Sequence, residues 1–308
     1  MQCEGCTLFS AQDGPLFSQL HQISQTEISD SCLNSRVAWN AGFYYQKALI
    51  AGCLCLVSDG GVFTSPHLTW PIGPIDSTSL QTIIDTLWPV FKKRGWPFRI
   101  MYIDEHCLPL FENVSGYRIR LSYDPDYSDY VYDANELRLL AGKALHSKRN
   151  HFNRFSRTYP GYEYRPISVD DRDEALKLVK SWCDEKGVDC CNLCVSDYRA
   201  IRQLFDDFDI LDIRGGSIRI DGRLVAFALG TLCESSDTAV INFEKAVTGY
   251  EGLYAAINKL VLDNAFPKVR FVNREEDMGI MGLRKAKESY GPVRMIRKYE
   301  AWLQKASE

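Results

Sequence analysis

Apolar positions along the chain recur at helical spacing in some stretches and alternate or cluster as strands in others. In the first half, the stretch Val37–Val62 reads as β-rich, and a Pro/Gly loop follows at Trp70–Pro74. Leu80, Ile83, Ile84, Leu87 and Phe91 then fall on one helical stripe, which predicts a helix over Leu80–Lys93. Strands are expected at Phe98–Ile103 and Tyr117–Leu121, and the polar, aromatic run Asp124–Tyr132 reads as a connector. Beyond it, Leu137, Leu140, Ala144, Phe152, Phe155 and Tyr159 recur at near-helical spacing, interrupted by Lys148 and stopped by Pro160-Gly161. One long helix, or two, is expected there. Next come a strand at Tyr162–Pro166, a helix from the acidic start Ser168–Asp171 to Cys183, and a helix over Asp197–Phe208. A hairpin of Leu211–Ile220 and Leu224–Leu232 turns at Asp221-Gly222. A strand at Ala239–Val247, a helix at Tyr254–Ala265, a strand at Val269–Val272 and a final strand at Val293–Trp302 complete the pattern.

At 308 residues the chain exceeds one ordinary core, so two domains are expected, 1–133 and 134–308, the second holding any active site. With 45% hydrophobic and 25% charged residues the composition is that of a globular protein. A net charge of −4 gives no global attraction to nucleic acid or anionic lipid, so such a partner would need a local patch. No window approaches the roughly 18 apolar residues of a membrane span, and a cytoplasmic location is expected. The 11 cysteines sit mostly at apolar positions, as reduced thiols do. Two CxxC pairs, Cys3/Cys6 and Cys191/Cys194, have zinc-ligand spacing but lie far apart, and no metal is expected.

Three constellations can carry chemistry. Lys143–Arg157 is free of acids, and its Lys143, Lys148, Arg149 and Asn150 are candidates to grip phosphate; a solvated helix face is the competing reading. Thr248, Gly249 and Gly252 lie in a loop entering a helix N-terminus, a place suited to an anion, although Glu251 and an incomplete glycine pattern count against it. On the preceding strand, Glu244 is either a general base or the partner of a nearby cation. In Asn273–Pro292, Asp277 is a candidate base, and Arg284 and Lys287 are candidates to hold a carboxylate, phosphate or oxyanion. A helix cap at Asp277 with Arg284 as its ion-pair partner is the alternative.

The element order is that of an N-acetyltransferase-like (GNAT) domain. The segments DYVY (129–132), GKALHSKRNHFNRF (142–155), NFEKA (242–246) and NREEDMGIMGLRKAKESYGP (273–292) resemble bacterial proteins related to the C-terminal domain of phosphatidylglycerol lysyltransferase. The lysyltransferases share mainly a GLR-x-x-K-x-x-aromatic-x-P element, matched by Gly282, Leu283, Arg284, Lys287, Tyr290 and Pro292. The resemblance implies an α/β (α+β) fold of two tandem GNAT-like domains, with mixed, splayed sheets flanked by helices. It also implies transfer of an aminoacyl or acyl group to an amine or hydroxyl of a small molecule, peptide or headgroup. Aminoacyl-tRNA would be the donor, gripped by the basic helix, with Asp277, Arg284 and Glu244 at the site and no further cofactor. The transmembrane region of the lysyltransferases has no counterpart here. A coenzyme A-dependent N-acetyltransferase and a non-catalytic nucleotide-, tRNA- or peptide-binding module are the competing functions.

Overall fold

The computed structural model describes residues 7–24, 26–186, 191–233 and 237–306. The cysteine pairs Cys3/Cys6 and Cys191/Cys194 lie outside the residues whose side chains are described. Cys32, Cys53, Cys55, Cys107 and Cys233 are buried thiols rather than disulfides. Among the described residues no helix is long and apolar enough to cross a membrane. The chain forms two units, 1–128 with 296–308, and 129–295.

The first unit begins with β1 (Thr7–Leu8), α1 (Gly14–Ser24) and α2 (Leu33–Phe43), followed by β2 (Gln46–Ile50), β3 (Cys53–Ser58) and β4 (His67–Thr69). After α3 (Ser77–Lys93) come β5 (Phe98–Asp104), a 3-10 segment at Glu105–Asn113 and β6 (Tyr117–Tyr123). Asp76 starts α3 by accepting the Ser79 amide at 2.7 Å, while the Ser79 hydroxyl accepts the Asp76 amide at 2.8 Å. The expected stripe Leu80, Ile83, Ile84, Leu87 and Phe91 is buried, packing on Cys53, Cys55, Leu68 and Ile100 of the sheet. One expectation fails here, since Val37–Phe43 is helix rather than strand. Asn34, Ser35 and Arg36 are buried together with Val37 and Ala38, so α2 shows no apolar stripe for the eye to find. Tyr44, in the left-handed region at φ 55°, ends it.

The second unit runs β7 (Asp129–Asp133), α4 (Ala134–Leu139), α5 (His146–Thr158), β8 (Glu163–Pro166), α6 (Arg172–Lys186), α7 (Cys191–Asp206), β9 (Arg214–Ile220), β10 (Arg223–Leu232) and β11 (Thr238–Ala246). Then follow α8 (Leu253–Asn264), β12 (Phe271–Asn273), α9 (Met281–Glu288) and β13 (Arg294–Ile296); the last strand, β14 (Lys298–Lys305), returns to the first unit. The near-helical run 134–159 is broken into α4 and α5 by left-handed backbone at Leu140 (φ 48°) and Gly142 (φ 75°).

Both sheets have seven strands in the same arrangement: β1-β2-β3-β4-β5-β14-β6 and β8-β9-β10-β11-β12-β7-β13. Two helices separate the first two strands of each, and the fourth and fifth strands (β4/β5 and β11/β12) run parallel. The duplication invisible in the letters is therefore plain in the topology, a tandem of two GNAT-like units. In each sheet the sixth seat is filled out of sequence. β7 follows β6 along the chain yet pairs with β12, while β14 follows β13 yet pairs with β5 and β6. The two units have exchanged strands. The division 1–133 and 134–308 expected from sequence is thus redrawn at both ends. Asp129–Tyr132 is a buried strand rather than a connector, and Val293–Trp302 is two strands of two different sheets.

Candidate active site

The second sheet opens at one place. β11 pairs with β12 only from Thr238 to Val240, then continues to Ala246 along β10 while the chain leaves β12 at Asn273. Asn242 and Glu244, two apart on β11, share the face that this opening exposes. Arg274, the first residue after β12, donates from Nη2 to Glu244 Oε2 at 3.1 Å, and Asn258 of α8 donates to the same oxygen at 3.2 Å. Arg274 Nη1 is buried with no hydrogen-bond partner. The guanidinium lies 4.9 Å from the Tyr290 ring centroid and 5.8 Å from that of Tyr132. Lys148 Nζ lies 4.2 Å from the centroid of the same Tyr290 ring. Burial, aided by the charge of Arg274, pulls the Lys148 ammonium below the usual lysine range, with Glu244 opposing. Burial also pushes the Tyr290 phenol up to about 12. One carboxylate with its Arg274 partner and a second cation, Lys148, therefore gather around a neutral phenol.

The loop after Arg274 is held by a second cluster. Asp277, fully buried, takes Arg284 Nε and Nη2 on its two oxygens, both at 2.8 Å, and Tyr130 of β7 donates to it at 2.5 Å. The Arg284 fork, with Tyr130 adding to it against burial, holds the Asp277 carboxyl at about 2. Asp277 is not a helix cap, as the alternative reading had it, although Arg284 is its ion-pair partner; α9 starts after Ile280, and Asp277 Oδ1 accepts the Gly279 amide at 2.8 Å. Lys287 is buried with Nζ donating to the carbonyls of Arg274, Glu275 (3.0 Å) and Glu276 (2.6 Å), so its three N–H groups are engaged by the loop itself. Glu275 (φ 58°) and Met278 (φ 53°) adopt left-handed backbone, a strained conformation that this cage sustains. Burial, reinforced by Glu276, raises the Glu275 carboxyl well above the ordinary range, while Asn242 donates to it at 3.0 Å.

The residues expected at the site thus fall into separate groups. Asp277 and Arg284 meet, but Glu244 takes Arg274 as its cation. In the basic helix, Lys148, whose place interrupts the apolar stripe, is the residue that turns inward. Arg149 caps α4 by donating to the Leu140 carbonyl at 2.6 Å, Arg154 pairs with Glu251, and Lys143 and Asn150 are exposed. Thr248 is exposed, and Gly249 (φ 89°) is an open turn. Gly252, at φ 83°, is the N-cap of α8, and a Cβ there would lie 2.2 Å from the His151 carbonyl oxygen. The glycine therefore lets α5 lie against the first turn of α8. Gly252→Ala should separate α5 from α8 and cost about 1–3 kcal/mol, read as a lower urea midpoint; an unchanged midpoint would contradict the packing.

Arg274, Asn258 and Glu275 carry parts that residue-by-residue reading of the sequence does not assign. Arg274 and Glu275 lie inside the NREED run, and their position directly after a strand is the signal that marks them.

Comparison with known proteins adds the lineage. An uncharacterized protein of Mycoplasmoides gallisepticum is 25% identical over 190 residues, 60% of this chain, and the match spans 59% of that protein's length. A crystal structure of a conserved protein of unknown function from Bacteroides thetaiotaomicron superposes with a TM-score of 0.88 at 30% identity, covering 97% of this chain and 99% of that one. The C-terminal domain of a putative lysylphosphatidylglycerol synthetase from Agrobacterium fabrum follows at 0.63 and 13% identity, covering 94% and 91%. A tandem GNAT protein of the clavulanic acid biosynthesis pathway shares the fold at 0.51 and 10% identity, covering 96% and 98%. Residues 42–302 match the family described as phosphatidylglycerol lysyltransferase, C-terminal, and with most of its length inside that match, this chain belongs to that transferase family.

Proposed function

We propose that this protein is an aminoacyltransferase that moves an aminoacyl group from aminoacyl-tRNA to an amine or hydroxyl acceptor, with the chemistry in the opening of the second sheet. The observation that carries this reading is the buried Arg274 guanidinium, which spends one N–H group on Glu244 and leaves Nη1 without a protein partner. A buried cation with a vacant donor is suited to a carbonyl oxygen that becomes an oxyanion. The acceptor nitrogen or oxygen attacks the ester carbon, giving a tetrahedral centre whose oxyanion takes the Arg274 donor. Arg274 and Asn258 both donate to Oε2 of Glu244, which leaves Oε1 to receive the acceptor's proton. Collapse of that centre breaks the ester C–O bond, and the proton passes to the departing ribose oxygen. Lys143 in the turn before α5, with Asn150 and Arg157 on the exposed side of that helix, offers the tRNA backbone its contacts, which makes binding salt-sensitive. Coenzyme A is less well supported as donor, because the His151 carbonyl already occupies the approach to the first turn of α8 where its phosphates would sit.

The test is incubation of wild type with a mixed pool of charged tRNAs and candidate amine and hydroxyl acceptors. Arg274→Ala is expected to slow transfer by about 10²–10³-fold and Glu244→Gln by about 10²–10⁴-fold, with the fold retained by circular dichroism. If wild type consumes no charged tRNA but turns over an acyl-CoA, or if Arg274→Ala transfers at the wild-type rate, the reading fails.

A further inference from the structure

The first unit contains a second buried guanidinium, and its surroundings differ from those of an ordinary core ion pair. Arg36 of α2 is 3% exposed. Its Nη1 donates to the Tyr45 hydroxyl at 3.2 Å, and its Cζ lies 4.7 Å from the Tyr102 ring centroid and 5.6 Å from that of Tyr45. Nε and Nη2 are buried with no hydrogen-bond partner. These two groups form the side-on edge of the guanidinium, the edge that takes the two oxygens of a carboxylate together. Among the described residues no carboxylate lies within ion-pair distance of Arg36. Asp30 acts on Tyr45 through its charge, but its carboxylate holds Lys298 at 2.6 Å. Arg99, the other cation felt by this cluster, is neutralised by Glu300. Leaving a buried charge unpaired is costly, so a vacant fork calls for an occupant.

Beside the same two tyrosines lies His67, fully buried, with its ring 6.1 Å from that of Tyr45 and 6.2 Å from that of Tyr102. Its Nδ1 is 3.0 Å from the Ser65 carbonyl, which requires the proton to be on Nδ1. Burial, with the charges of Arg36 and Arg99, holds the ring neutral, its pKa down at about 4. Nε2 is then a bare acceptor, and it too is buried without a partner. Tyr102 has φ 63° on β5, beside an irregularity in the β5/β14 register, and strained backbone of this kind is kept where a side chain must be aimed.

One cluster thus holds a two-pronged donor lacking an acceptor and an acceptor lacking a donor. We propose that the first unit binds a small carboxylic acid bearing an adjacent N–H or O–H donor, its carboxylate on the Arg36 Nε/Nη2 edge and its donor on His67 Nε2. An α-amino or α-hydroxy acid has this chemistry. This proposal does not depend on the activity proposed for the second unit.

Thermal unfolding of the full chain at constant pH and ionic strength tests this, with L-alanine, L-lactate, acetate and inorganic phosphate as probes. L-alanine or L-lactate should raise the Tm saturably, by roughly 3–6 °C, with acetate binding at least about tenfold more weakly for want of the donor. Arg36→Met should abolish the rise while leaving the unliganded Tm equal or higher, because the vacant charge is gone. Arg36→Lys, which keeps the charge but loses the fork, should also abolish it, and serves if the methionine variant does not fold. His67→Phe should reduce alanine or lactate binding to the level of acetate. The proposal is overturned if none of the carboxylates gives a saturable rise in wild type, if phosphate alone does, or if the rise survives in both Arg36 variants. Acetate binding as tightly as alanine and lactate would remove His67 from the site.

Discussion

Asp277→Ala should lower the unfolding free energy by about 3 kcal/mol, measured as a fall in the urea midpoint at neutral pH. The carboxylate is fully buried and answers four donors at once, two from Arg284, one from Tyr130 and one from the Gly279 amide. Removing one member of such a pair leaves the other charge and a buried phenol unsatisfied, which costs more than the pair contributes. The Arg284 side chain keeps 28% of its exposure, so water relieves part of that charge and the effect lies at the low end of the range for buried pairs. The same pair sets a pH dependence. The folded-state pKa of Asp277, about 2, lies below its unfolded value, so the stabilisation is fully present above about pH 4 and is lost as pH falls through 2. It amounts to roughly 2 kcal/mol, and the stability gap between wild type and Asp277→Ala should narrow across that window. A gap of constant size from pH 5 to pH 2, or a neutral-pH loss below about 1 kcal/mol, would show that the pair is an incidental contact.

The second large effect concerns β14. A chain ending at Met295 should lose the native fold of its first unit. β14 is hydrogen-bonded on one side to β5 and on the other to β6, and its Ala301 and Leu303 are buried in the first core. Without it β6 has no neighbour in the sheet, and the apolar face of β5 lies open. Loss of an internal strand exceeds the roughly 5–15 kcal/mol that stabilises a domain. Limited trypsin digestion should cleave residues 7–128 of the truncated chain rapidly while sparing 129–295. Equal protection of both regions would sink the prediction. A fragment starting at 134 should fail for the reciprocal reason, since it lacks β7 and with it Tyr130 and Tyr132 of the candidate site.

How far the sequence could disclose this arrangement depended on how local each cause was. The α3 stripe, the Asp221-Gly222 turn and the strand-to-helix passage from β11 to α8 rest on neighbours within a few residues, and they are legible. α2 is not, because buried polar residues such as Asn34, Ser35 and Arg36 remove the amphipathic signal. Asp129–Asp133 looks polar and loop-like in isolation. Its Asp129 is satisfied by Asn273 at 2.9 Å, a partner far along the chain, so the strand is recognisable only once β12 is in place. The run Val293–Trp302 has uniform strand character, and nothing in it marks Arg297 as the point where one sheet ends and another begins. At the site, the Asp277–Arg284 ion pair was one of the two readings the sequence offered for these residues, although the helix cap that went with it is not formed. The Glu244–Arg274 pair was not legible, because it joins two strand ends whose proximity depends on the parallel β11/β12 register. Lys287 has the letters of an anion ligand, but its ammonium is enclosed by three carbonyls that only the folded loop supplies.

The exchanged strands also order events in time. On a ribosome, the segment 129–295 is synthesised before the residues of β14. The usual sequence, in which the amino-terminal domain folds first, is therefore reversed. The second unit can close while the first still waits, with β5 and β6 unjoined, for β14 to arrive. During that interval the nascent chain presents two unfilled strand edges, and it is in this interval that a chaperone would have most to do.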